Sequence, residues 1–279
     1  MVALDPRIHP FRPEIAARHL KGQVEARRFV DGTRYQVIEP ATALRRAPSH
    51  DARLDTEALY GEHVTVYEIE EGWAWGQLEA DGYVGWLSAN ALAAPSAAPT
   101  HKVVVPRTLC FPASDIKQPP LAALPMGARL CIARQEERFA ITASGWHLPA
   151  VHLAPIQAKA ADFVAVAESL LGAPYLWGGK TSLGIDCSGL AQVALQAAAL
   201  ACPRDSDMQE LALGKPVTLG EPRRGDLIFW KGHVAIARDP ETLIHANAHA
   251  MMVAIEETES AIARIKAAGS AVTSVKRLA

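Results

Sequence analysis

Leu176-Trp-Gly-Gly-Lys-Thr-Ser-Leu-Gly-Ile-Asp-Cys-Ser-Gly-Leu190 is the stretch that decides how this chain folds. Its glycine-rich approach delivers a lone cysteine, Cys187, to the head of the run Ser188-Gly-Leu-Ala-Gln-Val-Ala-Leu-Gln-Ala-Ala-Ala-Leu200. Apolar residues recur there at three-to-four spacing among strong helix formers, so the pattern predicts a helix beginning at Cys187. Asp186 is its natural N-cap. A thiol in the first turn of a helix feels the positive end of the macrodipole, which favours the nucleophilic thiolate.

A cysteine nucleophile needs a base within hydrogen-bond reach and a third group to orient that base. Downstream, Asp226-Leu-Ile-Phe-Trp230, His233-Val-Ala-Ile-Ala-Arg238 and Thr242-Leu-Ile-His-Ala-Asn247 read as three apolar strands. His233 opens the second of them, next to Gly232 and ahead of an apolar run, a poor place for a packing residue. In the third, alternation puts Leu243, His245 and Asn247 on one face. If the two strands pair, His245 lies beside His233 and holds its tautomer, with Asn247 and His249 as rival orienters. With Ala160–Gly172 read as an amphipathic helix and Ser260–Ala268 as a surface helix, residues 156–279 form an α+β layout.

Upstream the pattern is all β. Thr42-Ala-Leu-Arg, His63–Ile69, Trp73–Glu79 and Asp81–Leu87 are short strands with turns at Glu71-Gly72 and Asp81-Gly82, predicting a small barrel over residues 35–95. A weaker copy spans residues 101–154, with Pro125-Met-Gly127 answering Tyr60-Gly-Glu62 and Gly145-Trp-His147 answering Gly85-Trp-Leu87. Ala93–Thr100 links the copies. Residues 1–34 read as an arm, with Pro13–Gly22 a short helix that starts on proline and stops on glycine.

Of the 279 residues 49% are hydrophobic and the formal net charge is -2, which fits a multidomain globular protein and gives no reason to expect nucleic acid or an anionic membrane as partner. The first residues lack the basic-then-apolar layout of a signal peptide, so the expectation is a cytoplasmic protein. Cys110, Cys131, Cys187 and Cys202 show no CxxC spacing, so no metal site or disulfide framework is expected, and all but Cys187 read as small buried hydrophobes. Gly178-Gly-Lys-Thr181 is not a phosphate-binding loop, because Pro174 stands where its first glycine is required.

The blocks Leu171-Gly-Ala-Pro-Tyr-Leu-Trp-Gly-Gly-Lys180, Gly184-Ile-Asp-Cys-Ser-Gly-Leu190, Arg204-Asp-Ser-Asp-Met-Gln209, Arg224-Gly-Asp-Leu-Ile-Phe-Trp230, Gly232-His-Val-Ala-Ile236 and Leu243-Ile-His-Ala246 resemble the NlpC/P60 cysteine peptidases. The duplicated barrels look like bacterial SH3 domains, and the combination is similar to γ-D-glutamyl-L-diamino acid endopeptidases. The resemblance implies a papain-like α+β domain behind two SH3-like barrels, with Cys187 as nucleophile, His233 as general base and His245 as orienting residue. It further implies that Asp186, Ser188, Ser206, Tyr175 and Trp177 contact substrate, and that Glu62 and Tyr83 of the first barrel close a pocket around the free amine of an amino-terminal L-alanine. Glu62 otherwise reads as a solvated turn residue, Tyr83 as a barrel-surface aromatic and Trp177 as a core aromatic. No cofactor is implied, and the implied partner is a peptidoglycan-derived peptide on its way to recycling. The alternatives are a non-catalytic binding module and an amidase or acyltransferase acting on another amide.

Overall fold

Alternation along His63–Glu70 sets up the first sheet: Val64 and Val66 point into a core while the residues between them stay half-buried. The protein, seen in a computed structural model that describes residues 4–220 and 222–278, divides into two units, Met1–Ile156 and Gln157–Ala279. In the first unit, strands β1 (Thr33–Val37), β2 (Ala41–Arg45), β3 (Leu54–Leu59), β4 (His63–Glu70), β5 (Trp73–Leu78), β6 (Val84–Ser88) and β7 (Leu92–Ala93) form one sheet in the order β7-β1-β4-β5-β6-β2-β3. Its core gathers Val37, Leu44, Val64, Val66, Leu78, Tyr83 and Leu87. Burying each large aliphatic side chain there contributes about 1.5–3 kcal/mol.

The arm corrects the expectation of a helix over Pro13–Gly22. Ile15–Ala17 is a strand, paired with Phe11–Arg12 and Arg28–Val30, and only a single 3-10 turn, Arg18–Leu20, follows it. Tertiary packing overrides local propensity here, since Ile15 is buried with Trp75, Val84 and Trp86. Arg12 lies over both tryptophan rings, 4.8 and 4.6 Å from their centroids, and its guanidinium pairs with Glu68.

Residues 101–154 hold three small sheets. Arg107–Cys110 pairs with Ala122–Pro125; Phe139–Thr142 pairs with both Ile132–Glu136 and His147–Pro149; His101–Val103 pairs with Arg129–Leu130 and Leu153–Pro155. They share a core of Val103, Cys110, Leu124, Leu130 and Leu148. The first set of strands is an open sheet with β7 and β3 at its edges, and the second is broken into short ladders by prolines 106, 112, 125 and 149, each of which removes a backbone donor.

The second unit packs helices on an antiparallel sheet. Helix α1 spans Phe163–Glu168, shorter than the predicted Ala160–Gly172 because Asp162 caps it, accepting the Val164 N–H at 2.9 Å. Helix α2 is Cys187–Ala197, α3 is Ser206–Ala212 and α4 is Thr258–Ala267. Strands β8 (Lys215–Val217), β9 (Leu227–Trp230), β10 (His233–Ala237), β11 (Thr242–Asn247), β12 (Met252–Glu257) and β13 (Val272–Arg277) form a sheet in the order β8-β13-β9-β10-β11-β12. One face is filled by Ile228, Trp230, Ala235, Leu243, Ala261 and Val275. Among the described residues no helix is long and apolar enough to cross a membrane.

Candidate active site

The site is built from the start of α2 outward. Cys187 through Leu195 of this helix are all buried, and α2 packs against β10 and β11. Two glycines in its approach are sterically required. A Cβ on Gly179 would sit 2.4 Å from the Gly184 carbonyl oxygen, and one on Gly189 would sit 2.3 Å from the Gly179 carbonyl oxygen. The glycine-rich lead-in is thus a tight fold-back, the two-strand hairpin Lys180–Thr181 with Gly184–Ile185, pressed onto the first turn of the helix.

Asp186 caps that turn and does more. Its carboxylate accepts the Gly189 N–H at 2.7 Å, the Gly178 N–H at 2.8 Å, the Ser188 hydroxyl at 3.3 Å, and both terminal nitrogens of Arg204 at 2.9 and 2.8 Å. Two carboxylate oxygens offer about four lone-pair sites, so five donors fill them. Arg204, 1% exposed, also donates to Ser188 Oγ at 2.8 Å and to the Gly179 carbonyl at 3.3 Å. Gln209 of α3 donates to the Ser188 and Pro203 carbonyls, both at 2.9 Å, and Gln192 of α2 donates to the Cys202 carbonyl at 3.1 Å. A buried polar lattice therefore fixes the chain on both sides of the thiol. All four cysteines are free thiols, and Cys202 is buried under this lattice.

On the sheet, His233 Nε2 lies 2.9 Å from His245 Nδ1. His245 is fully buried and on β11, as the alternation predicts, while Asn247 spends its Oδ1 on the Ala250 N–H at 2.7 Å and His249 is exposed. The backbone N–H groups of Val234, the residue next to His233, and of Ser188 act on the Cys187 sulfur in favour of its thiolate, though less than burial acts against it. The thiol lies at the start of the helix that packs on β10, the strand His233 opens. The Trp230 ring packs beside the His233 ring, with centroids 5.5 Å apart and the planes tilted by 42°.

The electrostatics differ from the sequence expectation of a dipole-stabilised thiolate. Burial, reinforced by the Asp186 charge, pushes the Cys187 thiol up to about 12. Burial also depresses His233 to about 3, with the His245 and Arg264 charges in the same direction. A helix dipole contributes at most about 2 kcal/mol, about one and a half pKa units, whereas desolvation of a fully buried group shifts it by about 3–5 units. The resting pair is therefore neutral thiol and neutral imidazole.

The structure also brings in residues the sequence reading missed. His245 Nε2 is 3.1 Å from Glu256 Oε2, and Arg264 of α4 holds the same carboxylate through Nε at 2.9 Å and Nη2 at 2.6 Å. The register explains the contact: His245 pairs with Ala254, and Glu256 is two residues further along the same face of β12.

Of the remaining candidates, Ser188 and Ser206 are buried, Tyr175 is half-buried and Trp177 is half exposed, so Trp177 is no core aromatic. The Tyr175 hydroxyl is pushed up to about 12 by burial and by the Cys187 and Asp186 charges, which sets it electrostatically beside the thiol. Glu62 and Tyr83 belong to the first unit and both are buried there, rather than solvated. Glu62 accepts the Leu59 N–H at 2.8 Å and Tyr83 packs into the sheet core. Among the described residues no group of three or more His, Cys, Asp or Glu is arranged to hold a metal ion.

Comparison with known proteins agrees with this architecture. Residues 172–269 match the model of the NlpC/P60 family, and residues 44–92 match that of the bacterial dipeptidyl-peptidase SH3 domain. The chain is 38% identical to dipeptidyl-peptidase 6 of Lysinibacillus sphaericus over 86 residues, covering 31% of this chain and 32% of the relative. It is 29% identical to gamma-D-glutamyl-L-lysine dipeptidyl-peptidase of Bacillus subtilis (strain 168) over 198 residues, covering 64% of this chain and 65% of the relative. These matches span less than two thirds of the length of either relative. The solved structure of an NlpC/P60 family protein from Bacillus cereus ATCC 10987 superposes with a TM-score of 0.74 at 21% identity, covering 88% of this chain and 99% of that one, a likeness of fold. The chain thus carries an NlpC/P60 domain over residues 172–269 and, ahead of it over residues 44–92, an SH3 domain of the bacterial dipeptidyl-peptidase type.

Proposed function

We propose that this chain is a cysteine endopeptidase that cleaves the bond between γ-D-glutamate and a diamino acid in peptidoglycan-derived peptides with a free amino-terminal L-alanine, a reaction of murein-peptide recycling. The observation that carries the reading is the His233–His245 hydrogen bond beside a thiol fixed at the start of α2. The names of the curated relatives support the choice of bond. We assign residues 101–154 to a second SH3-like barrel and the peptidase domain to the papain-like class, because a cysteine-headed helix packed on an antiparallel sheet is the arrangement seen.

In this mechanism Cys187 Sγ attacks the γ-carbonyl carbon of glutamate as its proton passes to His233. The imidazolium then protonates the departing amine of the diamino acid, the C–N bond breaks, and a thioester remains. Water, deprotonated by His233, attacks the thioester; the acid leaves and the thiol regains its proton. Because the resting pair is neutral, proton transfer accompanies attack rather than preceding it. Asp186 and Arg204 act by fixing the turn that carries the thiol. Tyr175, Trp177, Ser188 and Ser206 line the substrate groove.

The test is hydrolysis of L-Ala-γ-D-Glu-diamino acid peptides compared with the same peptides capped by lactyl at the amine. Release of L-Ala-γ-D-Glu from the free-amine peptide alone supports the reading. Equal cleavage of both ends the amine-selection part, and cleavage or transfer at another amide replaces the peptidase reading with an amidase or acyltransferase.

A further inference from the structure

Both histidines of the site are neutral at neutral pH, since burial lowers both. What matters is then which ring nitrogen of each carries the proton, and the surroundings determine it. Glu256 is ionised, because the Arg264 guanidinium holds its carboxyl below the usual carboxylate range. An ionised carboxylate only accepts hydrogen bonds. The nitrogen facing it, His245 Nε2 at 3.1 Å, must therefore be the protonated one. That leaves His245 Nδ1 with a lone pair, so the 2.9 Å contact to His233 is made by a proton on His233 Nε2. The remaining nitrogen, His233 Nδ1, is then unprotonated and free to take a proton.

We propose that Glu256, clamped by Arg264, is a positioning residue that fixes His245 as its Nε2–H tautomer and thereby keeps Nδ1 of His233 unprotonated as the base for Cys187. The relay runs Arg264, Glu256, His245, His233, and it spans α4, β12, β11 and β10. Without the carboxylate, His245 could donate from Nδ1, His233 would accept at Nε2 and hold its proton at Nδ1, and no base would remain. As the imidazolium forms during attack, the same carboxylate stabilises it. Arg264 and His249 are the other titratable groups that act on His245, and both oppose its protonation. The catalytic consequence rests on the peptidase reading, but the tautomers are a property of the free protein.

The experiment is nitrogen-detected NMR of the full chain labelled with ¹⁵N-histidine at neutral pH, with wild type compared with Glu256→Gln. Wild type should show His245 protonated at Nε2 and His233 unprotonated at Nδ1. A glutamine can turn either its oxygen or its amide nitrogen toward His245, so the variant should show a mixture of both tautomers. Its kcat should fall by at least about tenfold, with KM within about twofold of wild type, as expected for a base in the wrong tautomer. Wild type with His245 protonated at Nδ1 overturns the proposal, and this reading does not depend on whether the variant folds. Unchanged tautomers in Glu256→Gln overturn it as well. If the tautomers are as described but the peptides are not cleaved, the relay stands and the peptidase reading fails.

Discussion

Arg204 Nη2 lies 2.8 Å from Asp186 Oδ2 in a pair whose side chains are 1% and 8% exposed, and that ion pair is the hinge on which the cysteine helix hangs. Two charges out of water are stable together only because the remaining oxygen capacity is filled by Gly178, Gly189 and Ser188.

Removing one partner is therefore costly. Arg204→Met leaves a buried carboxylate without its cation and should destabilise the second unit by about 3–5 kcal/mol. Arg204→Lys keeps the charge but loses the bidentate fork, and should recover only part of that loss. Urea unfolding followed by circular dichroism of the full chain measures both, and an Arg204→Met chain as stable as wild type contradicts the role given to the pair.

Gly189→Ala and Gly179→Ala should each damage the site without touching its chemistry. The new methyl would meet a backbone carbonyl at 2.3 or 2.4 Å, and backbone cannot move aside as a flexible side chain can. A cost of roughly 1–3 kcal/mol follows from overpacking. Thermal unfolding reads it, and either alanine variant melting at the wild-type temperature would show that the fold-back yields.

The neutral resting pair makes a prediction about pH. Because burial raises Cys187 to about 12, the thiolate fraction in the free protein should climb steadily from pH 6 to pH 9, about tenfold per unit. The rate of iodoacetamide alkylation should climb with it. A rate already at its plateau at mildly acidic pH would mean a preformed thiolate–imidazolium pair.

Stability carries the complementary signature. His233 takes up a proton near 6.5 when unfolded but only near 3 when folded, so the unfolded chain binds more protons between those values. Stability from this group is complete above about 6.5 and is lost as pH falls toward 3. A His233→Gln variant should show a shallower acid limb in urea midpoint against pH, and an unchanged limb would assign the acid sensitivity to other groups.

Much of this was legible in the sequence because strong local rules apply. Helix formers after Asp186 mark where α2 begins, and period-two alternation in Thr242–Asn247 puts His245 on the His233 side. The arm misled, since Pro13 and Gly22 are genuine helix punctuation, yet Ile15 gains more by packing under Trp75 and Trp86 than by turning helical. Glu256 was invisible for a different reason. It sits on the edge strand Met252–Glu257, where Met252 and Ile255 stay partly exposed, so no clean alternation announces a strand, and its partners His245 and Arg264 lie 11 and 8 residues away. Arg204 stands within the run Arg204-Asp-Ser-Asp-Met-Gln209, but a buried arginine can be assigned only when its acid is seen.

In the proposed reaction Cys187 performs the attack. Incubating L-Ala-γ-D-Glu-diamino acid tripeptide with wild type and Cys187→Ala, and following products by mass spectrometry, tests it most directly. Wild type should release L-Ala-γ-D-Glu and the free diamino acid, and Cys187→Ala should release neither above the uncatalysed background. Hydrolysis retained by Cys187→Ala at the wild-type rate would show that another group makes the attack.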